Sequence, residues 1–270
     1  MKKHITWALT AIAAATVFSA AAQAHRAWLL PSATVLSGND LWVTVDAAIS
    51  NDLFYFEHHP MRLEGLAVTA PDGAAAKSEN LATGRYRSTF DLKLDKPGTY
   101  KIAVLNDGAF ARYKLDGQDK RWRGKADALA TAIPANATDV RVTESVGRIE
   151  TFVTSGKPTE GALKTTGNGL ELVPVTHPNN LFAGEEAKFR LVLDGEPAAG
   201  VKVEIVPGGI RYRDQLNEIK VTTDESGTFS VKWPNPGMYW LSASVQDKKT
   251  KIKDASRRAS YTATVEVLPQ

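Results

Sequence analysis

The sequence predicts an all-β protein made of two β-sandwich (immunoglobulin-like) domains with a short helical or irregular insertion between them. Two observations predict this. Apolar and polar residues alternate with a period of two along most of the chain, most clearly over residues 85–94. Turn-forming residues, such as Lys96-Pro97-Gly98, separate the alternating segments at intervals of about ten residues. Short strands at this spacing are typical of a sandwich.

The first half of the chain contains four clearly strand-like segments, a weaker fifth at residues 110–114, and then a stretch of different character. The strands are predicted at residues 41–45, 66–70, 85–94, 99–105 and 110–114. Residues 118–168 form the irregular part of this half. The apolar residues of 120–132 are spaced as in a short helix, which would end at Pro134. Residues 139–142 and 149–154 are predicted to be extended. Glycine and proline residues at 155–168 indicate a loop or linker.

The second half predicts about seven strands in about 100 residues, which is the size of an immunoglobulin-like sandwich. They are expected at residues 170–175, 187–193, 201–206, 219–223, 227–233, 237–245 and 261–267. Both halves enter a strand through the same Pro-Gly-x-Tyr turn, at Pro97 and at Pro236. We therefore predict an N-terminal domain at residues 25–168 and a C-terminal domain at residues 169–270.

Residues 1–24 have the pattern of a secretory signal peptide. Lys2 and Lys3 form a positive start, residues 5–22 are apolar and rich in alanine, and Ala22-Gln23-Ala24 is a small-x-small cleavage site. Cleavage after Ala24 would make His25 the first residue of the mature protein. The chain has no cysteine, so it needs no disulfides and carries no lipid on a cysteine. We expect a soluble protein of the bacterial periplasm.

The charge balance gives no support to nucleic-acid binding. The chain has 33 basic and 30 acidic side chains, and loss of Lys2 and Lys3 leaves a net charge of about +1. The only basic run that stands out, at residues 248–258, is interpreted as a solvated hairpin loop. The chain contains no nucleophile elbow, Walker loop, dinucleotide fingerprint or His-Glu-x-x-His motif, and we predict that it is not an enzyme.

Histidines are the candidate metal ligands. Outside the signal they are His25, His58, His59 and His177. A first-residue histidine offers its α-amine, with an ordinary pKa of about 8, beside its imidazole, and this nitrogen pair suits Ni, Co, Cu or Zn better than Mg or Ca. Neighbouring side chains in a strand point to opposite faces, so we expect only one of His58 and His59 in a site unless Pro60 bends the chain. An exposed loop at 54–60 and a turn at His177 are the alternative interpretations.

A second segment, residues 208–214, offers groups for contact with a partner. Two glycines precede Arg211, Tyr212, Arg213 and Asp214, which provide two guanidinium groups, a phenol and a carboxylate. This segment could contact an anion or another protein, or clamp the two domains together through charge-assisted hydrogen bonds. The alternative is an ordinary hairpin with a surface Arg–Asp pair of small energetic value.

Several segments resemble one exported family. The start of the predicted mature chain, His25-Arg26-Ala27-Trp28-Leu29-Leu30-Pro31-Ser32, is similar to that of the DUF4198 family, and residues 170–185, 208–214 and 233–240 resemble its second half. The family is also described as the periplasmic component of cobalt or nickel uptake systems. The resemblance covers nearly all of the chain after residue 24 and implies a β-rich periplasmic protein associated with transition-metal handling. It supplies no ligand set.

Together these observations lead to two function hypotheses from different classes. The first is a non-catalytic periplasmic protein that binds nickel, cobalt or copper at His25 with help from His58, His59 or His177. It would assist uptake by a membrane metal transporter or an outer-membrane receptor. The second is an exported interaction module that binds a protein or a glycan without metal. A third hypothesis is an oxidative enzyme with copper bound at His25.

Overall fold

The computed structural model describes residues 25–270, and the protein is all-β, as the alternating sequence pattern predicts. The predicted signal peptide and its cleavage site lie outside the described residues. The strands are β1 (Arg26–Pro31), β2 (Val35–Leu36), β3 (Trp42–Ser50), β4 (His59–Pro60), β5 (Leu66–Thr69), β6 (Ala75–Ala76), β7 (Ser78–Thr83), β8 (Ser88–Lys93), β9 (Gly98–Leu105), β10 (Gly108–Leu115), β11 (Gln118–Gly124), β12 (Thr138–Ser155), β13 (Leu170–Pro174), β14 (Glu186–Leu193), β15 (Glu196–Pro197), β16 (Lys202–Pro207), β17 (Ile219–Thr222), β18 (Thr228–Lys232), β19 (Gly237–Asp247) and β20 (Ser256–Val267).

The strands form two sandwiches that share one long sheet. In the first, a sheet of β1, β3, β4, β7 and β8 packs against the part of the long sheet that contains β5, β9 and β12. In the second, a sheet of β13, β14, β15 and β18 packs against β16, β19 and β20. Alternate residues of each strand face these cores, as in β8, where every second side chain is buried. The period-two pattern therefore reports which face of each strand is buried.

Strand β12 joins the two sandwiches. Its end pairs antiparallel with β9, while residues Thr143 to Thr151 pair in parallel with Ser256 to Thr264 of β20. The long sheet therefore runs without interruption from β6 in the first sandwich to β17 in the second. Parallel neighbours need a long connection between them, and here most of the second sandwich lies between β12 and β20 in the sequence.

The region 118–168 is more regular than the sequence indicates. Residues 118–124 form strand β11, and the extended stretches expected at 139–142 and 149–154 are parts of the single strand β12. The predicted helix reduces to a 3₁₀ turn at Ala126–Ala128 and the four-residue helix Leu129–Ala132. Pairing with β10 overrides the weak helical pattern of residues 120–124. The division of the chain at residue 168 stays a prediction.

The shared Pro-Gly-x-Tyr turn has the same construction in both halves. The glycine takes a positive φ, +122° at Gly98 and +135° at Gly237, which a side chain would oppose. The tyrosine hydroxyl then bonds to the backbone four residues earlier: Tyr100 accepts from the Lys96 N–H at 2.8 Å, and Tyr239 donates to the Asn235 carbonyl at 2.8 Å. The arrangement resembles the tyrosine corner of immunoglobulin-like sandwiches.

A third hydrophobic cluster lies where the sandwiches meet. Its buried members come from β1, β3 and the loop after it, β16 and β19: Trp28, Ala48, Leu53, Val206 and Trp240. This cluster fixes β1 against the second sandwich, and the start of the described chain is thereby held in place. No helix among residues 25–270 has the length and apolar character needed to cross a membrane.

Candidate functional site

The first candidate site lies at the beginning of β1. This strand pairs antiparallel with the end of β3, so that Arg26 lies opposite Ser50. The indole Nε1 of Trp240 donates a hydrogen bond to the Ala27 carbonyl at 2.9 Å, and the Arg26 guanidinium lies 5.6 Å from the centre of the Trp240 ring. These contacts anchor the residues next to His25, whose own side chain is exposed.

Hydrogen bonds to backbone groups hold the segment that follows β3 in place. The buried Ser50 hydroxyl accepts a hydrogen bond from Trp28 Nε1 at 2.8 Å and donates one to the Asp52 carbonyl at 2.6 Å. The Glu57 carboxylate accepts from the backbone N–H groups of Asn51 and Asp52 at 3.0 and 2.9 Å. Glu57 therefore closes the loop, and its Oε1 is already engaged there.

Aromatic side chains in this loop pack on Trp28. Phe54 and Phe56 both place their ring centres 5.5 Å from the Trp28 ring, and Phe54 adopts a φ of +65°, which is uncommon for a residue with a side chain. The guanidinium of Arg87 covers Phe56 from outside at 4.3 Å. The packing holds the strained turn and sets the direction in which the chain leaves it towards His58.

Three histidines meet at this point. The rings of His25 and His58 stack with centres 3.7 Å apart and an angle of 11° between their planes, and the His59 ring lies 4.1 Å from that of His58. Burial and the charges that His25 and His59 carry when protonated lower the pKa of His58. The fold therefore gathers three of the four predicted histidines from two segments of the chain, including both of the adjacent pair.

The rings are close, yet they do not form a finished metal site. Among residues 25–270, no three His, Cys, Asp or Glu side chains are placed to hold one metal ion. Stacked imidazoles present their faces to one another, whereas a metal is bound through a ring nitrogen in the ring plane. His25 and His59 are exposed, so their rings have room to rotate. Imidazole nitrogens are suitable ligands for a borderline transition metal. The rings must rotate before their nitrogens can point at one ion.

The fourth histidine has a different environment. His177 Nδ1 accepts the Asn179 N–H at 3.1 Å, and Nε2 lies 3.0 Å from the Thr99 hydroxyl and 3.2 Å from the Thr159 carbonyl. Both ring nitrogens therefore have partners within the fold. Burial lowers the pKa of His177, partly opposed by the bond to Thr159 and the charge of Glu160. The structure gives this histidine a role in joining chain segments, which is the turn alternative raised by its sequence position.

The second candidate segment, 208–214, divides into a clamp and an exposed face. The Arg213 guanidinium donates to the carbonyls of Pro207, Gly208, Gln215 and Leu216 at distances of 2.6 to 2.9 Å. Arg213 thus fixes the loop, with four of its five N–H donors engaged in it. Tyr212, by contrast, is 81% exposed.

A residue that the sequence did not single out links the two candidate segments. The Tyr55 hydroxyl donates to that of Tyr212 at 2.5 Å, and the Arg211 guanidinium lies 5.0 Å from the centre of the Tyr55 ring. The hydrogen bond to Tyr212 and burial raise the pKa of Tyr55. The run of aromatic residues at 54–56 was visible in the sequence, but its contact with residue 212 depends on tertiary packing.

A known protein family matches most of this chain. The family model "Domain of unknown function (DUF4198)" matches residues 22–247. A search of curated proteins gave no match. Among solved structures, the D0-D1 domain of intimin is 12% identical, with 89% of this chain and 97% of that chain covered and a TM-score of 0.22. A structure from a 1.5-MDa bacterial ice-binding adhesin is 10% identical, covering 91% and 64%, with a TM-score of 0.26.

Proposed function

The chain belongs to the DUF4198 family, and from this premise we propose that it is a non-catalytic periplasmic protein that binds a divalent transition-metal ion. Its cargo is nickel, cobalt or copper, held by His25, His58 and His59, and its task is to assist uptake or delivery to a membrane transporter or outer-membrane receptor. The proposal includes export and cleavage after Ala24, which add the α-amine of His25 to the donor set.

The observation that supports this proposal is the meeting of His25 with His58 and His59. Three imidazoles from two segments of the chain lie ring to ring, two of them exposed. The neighbouring residues Ala27 and Ser50 are hydrogen-bonded to buried tryptophans. Imidazole nitrogens prefer borderline cations, and the order of intrinsic affinities favours copper over nickel and cobalt. A site on a fixed scaffold needs only side-chain rotation to close.

The direct test compares two forms of the protein by calorimetric titration with Ni(II), Co(II), Cu(II) and Zn(II). One form begins at His25, and the other keeps one additional residue before it. Since the additional residue moves the free amine away from the His25 imidazole, we expect it to weaken binding at least tenfold. Equal affinity of the two forms would exclude the amine as a ligand.

Substitutions separate the contributions of the imidazoles. His58→Ala and His59→Ala are expected to weaken metal binding, while His177→Asn serves as the matched control because its ring is occupied within the fold. Metal binding that survives both His58→Ala and His59→Ala, and is unchanged by the additional N-terminal residue, would reject the proposed site. If His177→Asn stays folded and is the one variant that loses metal binding, the metal is not bound by His25, His58 and His59.

A second candidate function is favoured by one observation, the exposed Tyr212 on a loop clamped by Arg213. Tyrosine and arginine are the side chains most often dominant in protein interfaces, and a preformed loop loses little entropy on binding. In this alternative the protein is an interaction module for a protein or glycan partner. Arg211→Ala and Tyr212→Ala remove the exposed groups and leave the hydrogen bonds of Arg213 in place. If neither substitution reduces capture of a partner, this loop is not the binding surface.

A further inference from the structure

A basic surface lies on strands β10, β11 and the first half of β12, away from the histidines. In the strand register, Arg112 of β10 lies opposite Arg121 of β11 on one side and Arg141 of β12 on the other. Directly paired residues share one face of a sheet. Three arginines therefore form a row across three neighbouring strands, which lie about 5 Å apart.

A fourth arginine extends the same face. Arg123 lies opposite Phe110, two residues from Arg112, and the Arg112 guanidinium lies 5.5 Å from the centre of the Phe110 ring. The other face of β10 is turned into the protein, since Ala109 and Ala111 are buried. We call the surface formed by Arg112, Arg121, Arg123 and Arg141 the arginine face.

The arginine face is not neutralised by the rest of the described chain. All four side chains are exposed, and none has an ion-pair or hydrogen-bond partner within residues 25–270. The nearest paired cation, Lys114, lies towards the end of the hairpin, where it forms an ion pair with Asp139 at 3.2 Å and faces Asp119 across the strands. Asp119 and Asp139 lie two residues along their strands from Arg121 and Arg141, yet neither forms an ion pair with an arginine of this face.

Such an arrangement opposes folding. Like charges placed directly opposite each other on neighbouring strands destabilise a sheet. Arginine is moreover the cation that binds phosphate in a bidentate way. Since the row costs stability and fills no core, a ligand that carries several negative charges would relieve its repulsion.

We propose that the arginine face binds the surface of an anionic lipid membrane. The four guanidinium groups project from one face of a sheet and offer a broad, open surface, which matches a plane of phosphate headgroups. Clusters of about four to eight Lys or Arg residues beside a membrane-spanning helix or on an amphipathic helix bind anionic lipid, and the arginine face carries a comparable number on a sheet. This inference is independent of the metal site, because it uses other residues and needs no cleavage of the chain.

The test is co-sedimentation of the purified protein with vesicles. Vesicles that contain phosphatidylglycerol and phosphatidylcholine in equal parts are expected to bind the protein, and vesicles of phosphatidylcholine alone are not. Binding should fall as salt is raised, because charges are screened over about 10 Å at 0.1 M salt. The combined variant Arg112→Gln, Arg121→Gln and Arg141→Gln is expected to reduce affinity by roughly 100-fold.

A matched variant controls for net charge. Lys188→Gln, Arg190→Gln and Lys232→Gln remove the same number of charges from exposed positions of β14 and β18 and should leave vesicle binding nearly unchanged. The arginine variant should unfold at the same temperature as the original protein or higher, because repulsion is relieved. Equal vesicle binding by the two variants would overturn the proposal, and so would binding of polygalacturonate in place of vesicles.

Discussion

His177 shows how a single residue can be assigned from its hydrogen bonds. Its Nδ1 accepts a backbone N–H, so the proton of the neutral ring resides on Nε2, which faces the Thr99 hydroxyl and the Thr159 carbonyl. Thr99 in turn bonds to Thr154, and Thr154 donates to the Asn179 side chain. The network ties the end of β12 to the loop before β14. Protonation of His177 Nδ1 would remove the acceptor of the Asn179 N–H and break that hydrogen bond.

The lowered pKa of His177 predicts a specific dependence of stability on pH. Because burial lowers this pKa in the folded protein, the unfolded chain takes up the proton first as pH falls through about 6.5. His177 therefore favours folding at higher pH, and that contribution is lost as pH falls below this value. The variant His177→Asn keeps an acceptor for the Asn179 N–H but cannot titrate.

The measurement is urea unfolding of both proteins at about pH 7.5 and about pH 5.5. The original protein should lose more free energy of unfolding between the two conditions than His177→Asn does. Equal losses would show that His177 titrates alike in the folded and unfolded chains.

At the scale of elements, β12 carries an ionic network in the interior. The Arg148 guanidinium lies 3.2 Å from Glu150 and 3.3 Å from Glu171, and all three side chains are at least nine-tenths buried. Glu171 also accepts the backbone N–H of Gly167 at 2.8 Å, and Glu150 accepts the Tyr261 hydroxyl at 2.8 Å. Burial first, and then the Glu150 charge, raise the pKa of Tyr261 well above its usual value, so the phenol remains a donor.

This network predicts a large effect from one substitution. Arg148→Met leaves the carboxylates of Glu150 and Glu171 buried without their cation, and we expect a loss of about 3–5 kcal/mol in the free energy of unfolding. Chemical denaturation measures it. The matched control is Arg258→Met on β20, where the side chain is exposed and the expected change is within about 0.5 kcal/mol. A similarly small change in both variants would mean that the network contributes little to stability.

For the molecule as a whole, the shared sheet makes the two sandwiches depend on each other. The parallel pairing of β12 with β20 spans nine residue pairs, and a separate hydrophobic cluster around Trp28 and Trp240 fills the junction. Unfolding one sandwich would strip a central strand from the other and expose both tryptophans. The position of β1, and with it that of His25, is therefore a property of both halves.

We therefore expect thermal unfolding in a single cooperative transition. Differential scanning calorimetry should give one peak, with a calorimetric enthalpy equal to the van't Hoff enthalpy. Two resolved transitions would instead show that the sandwiches unfold independently, as the predicted boundary at residue 168 would allow.

The sequence by itself determined the local structure of this protein. Alternation of side chains located most strands, and the Pro-Gly-x-Tyr turns located two strand entries, because these features depend on near neighbours in the chain. It also identified His25, His58 and His59 as candidates by their chemistry. It did not reveal strands β1, β7 and β11 or the continuity of β12. For β11 and β12, pairing with β10 outweighs local preference.

Only the tertiary structure decided which candidates meet. Long-range strand pairing brought His25 to His58, enclosed His177 in a hydrogen-bond network, and turned Arg213 from a contact residue into a clamp. It also aligned Arg112, Arg121 and Arg141, which lie on three different strands. The physical reason is register: a strand's periodicity defines its faces, while its partner and alignment are set by packing against distant segments.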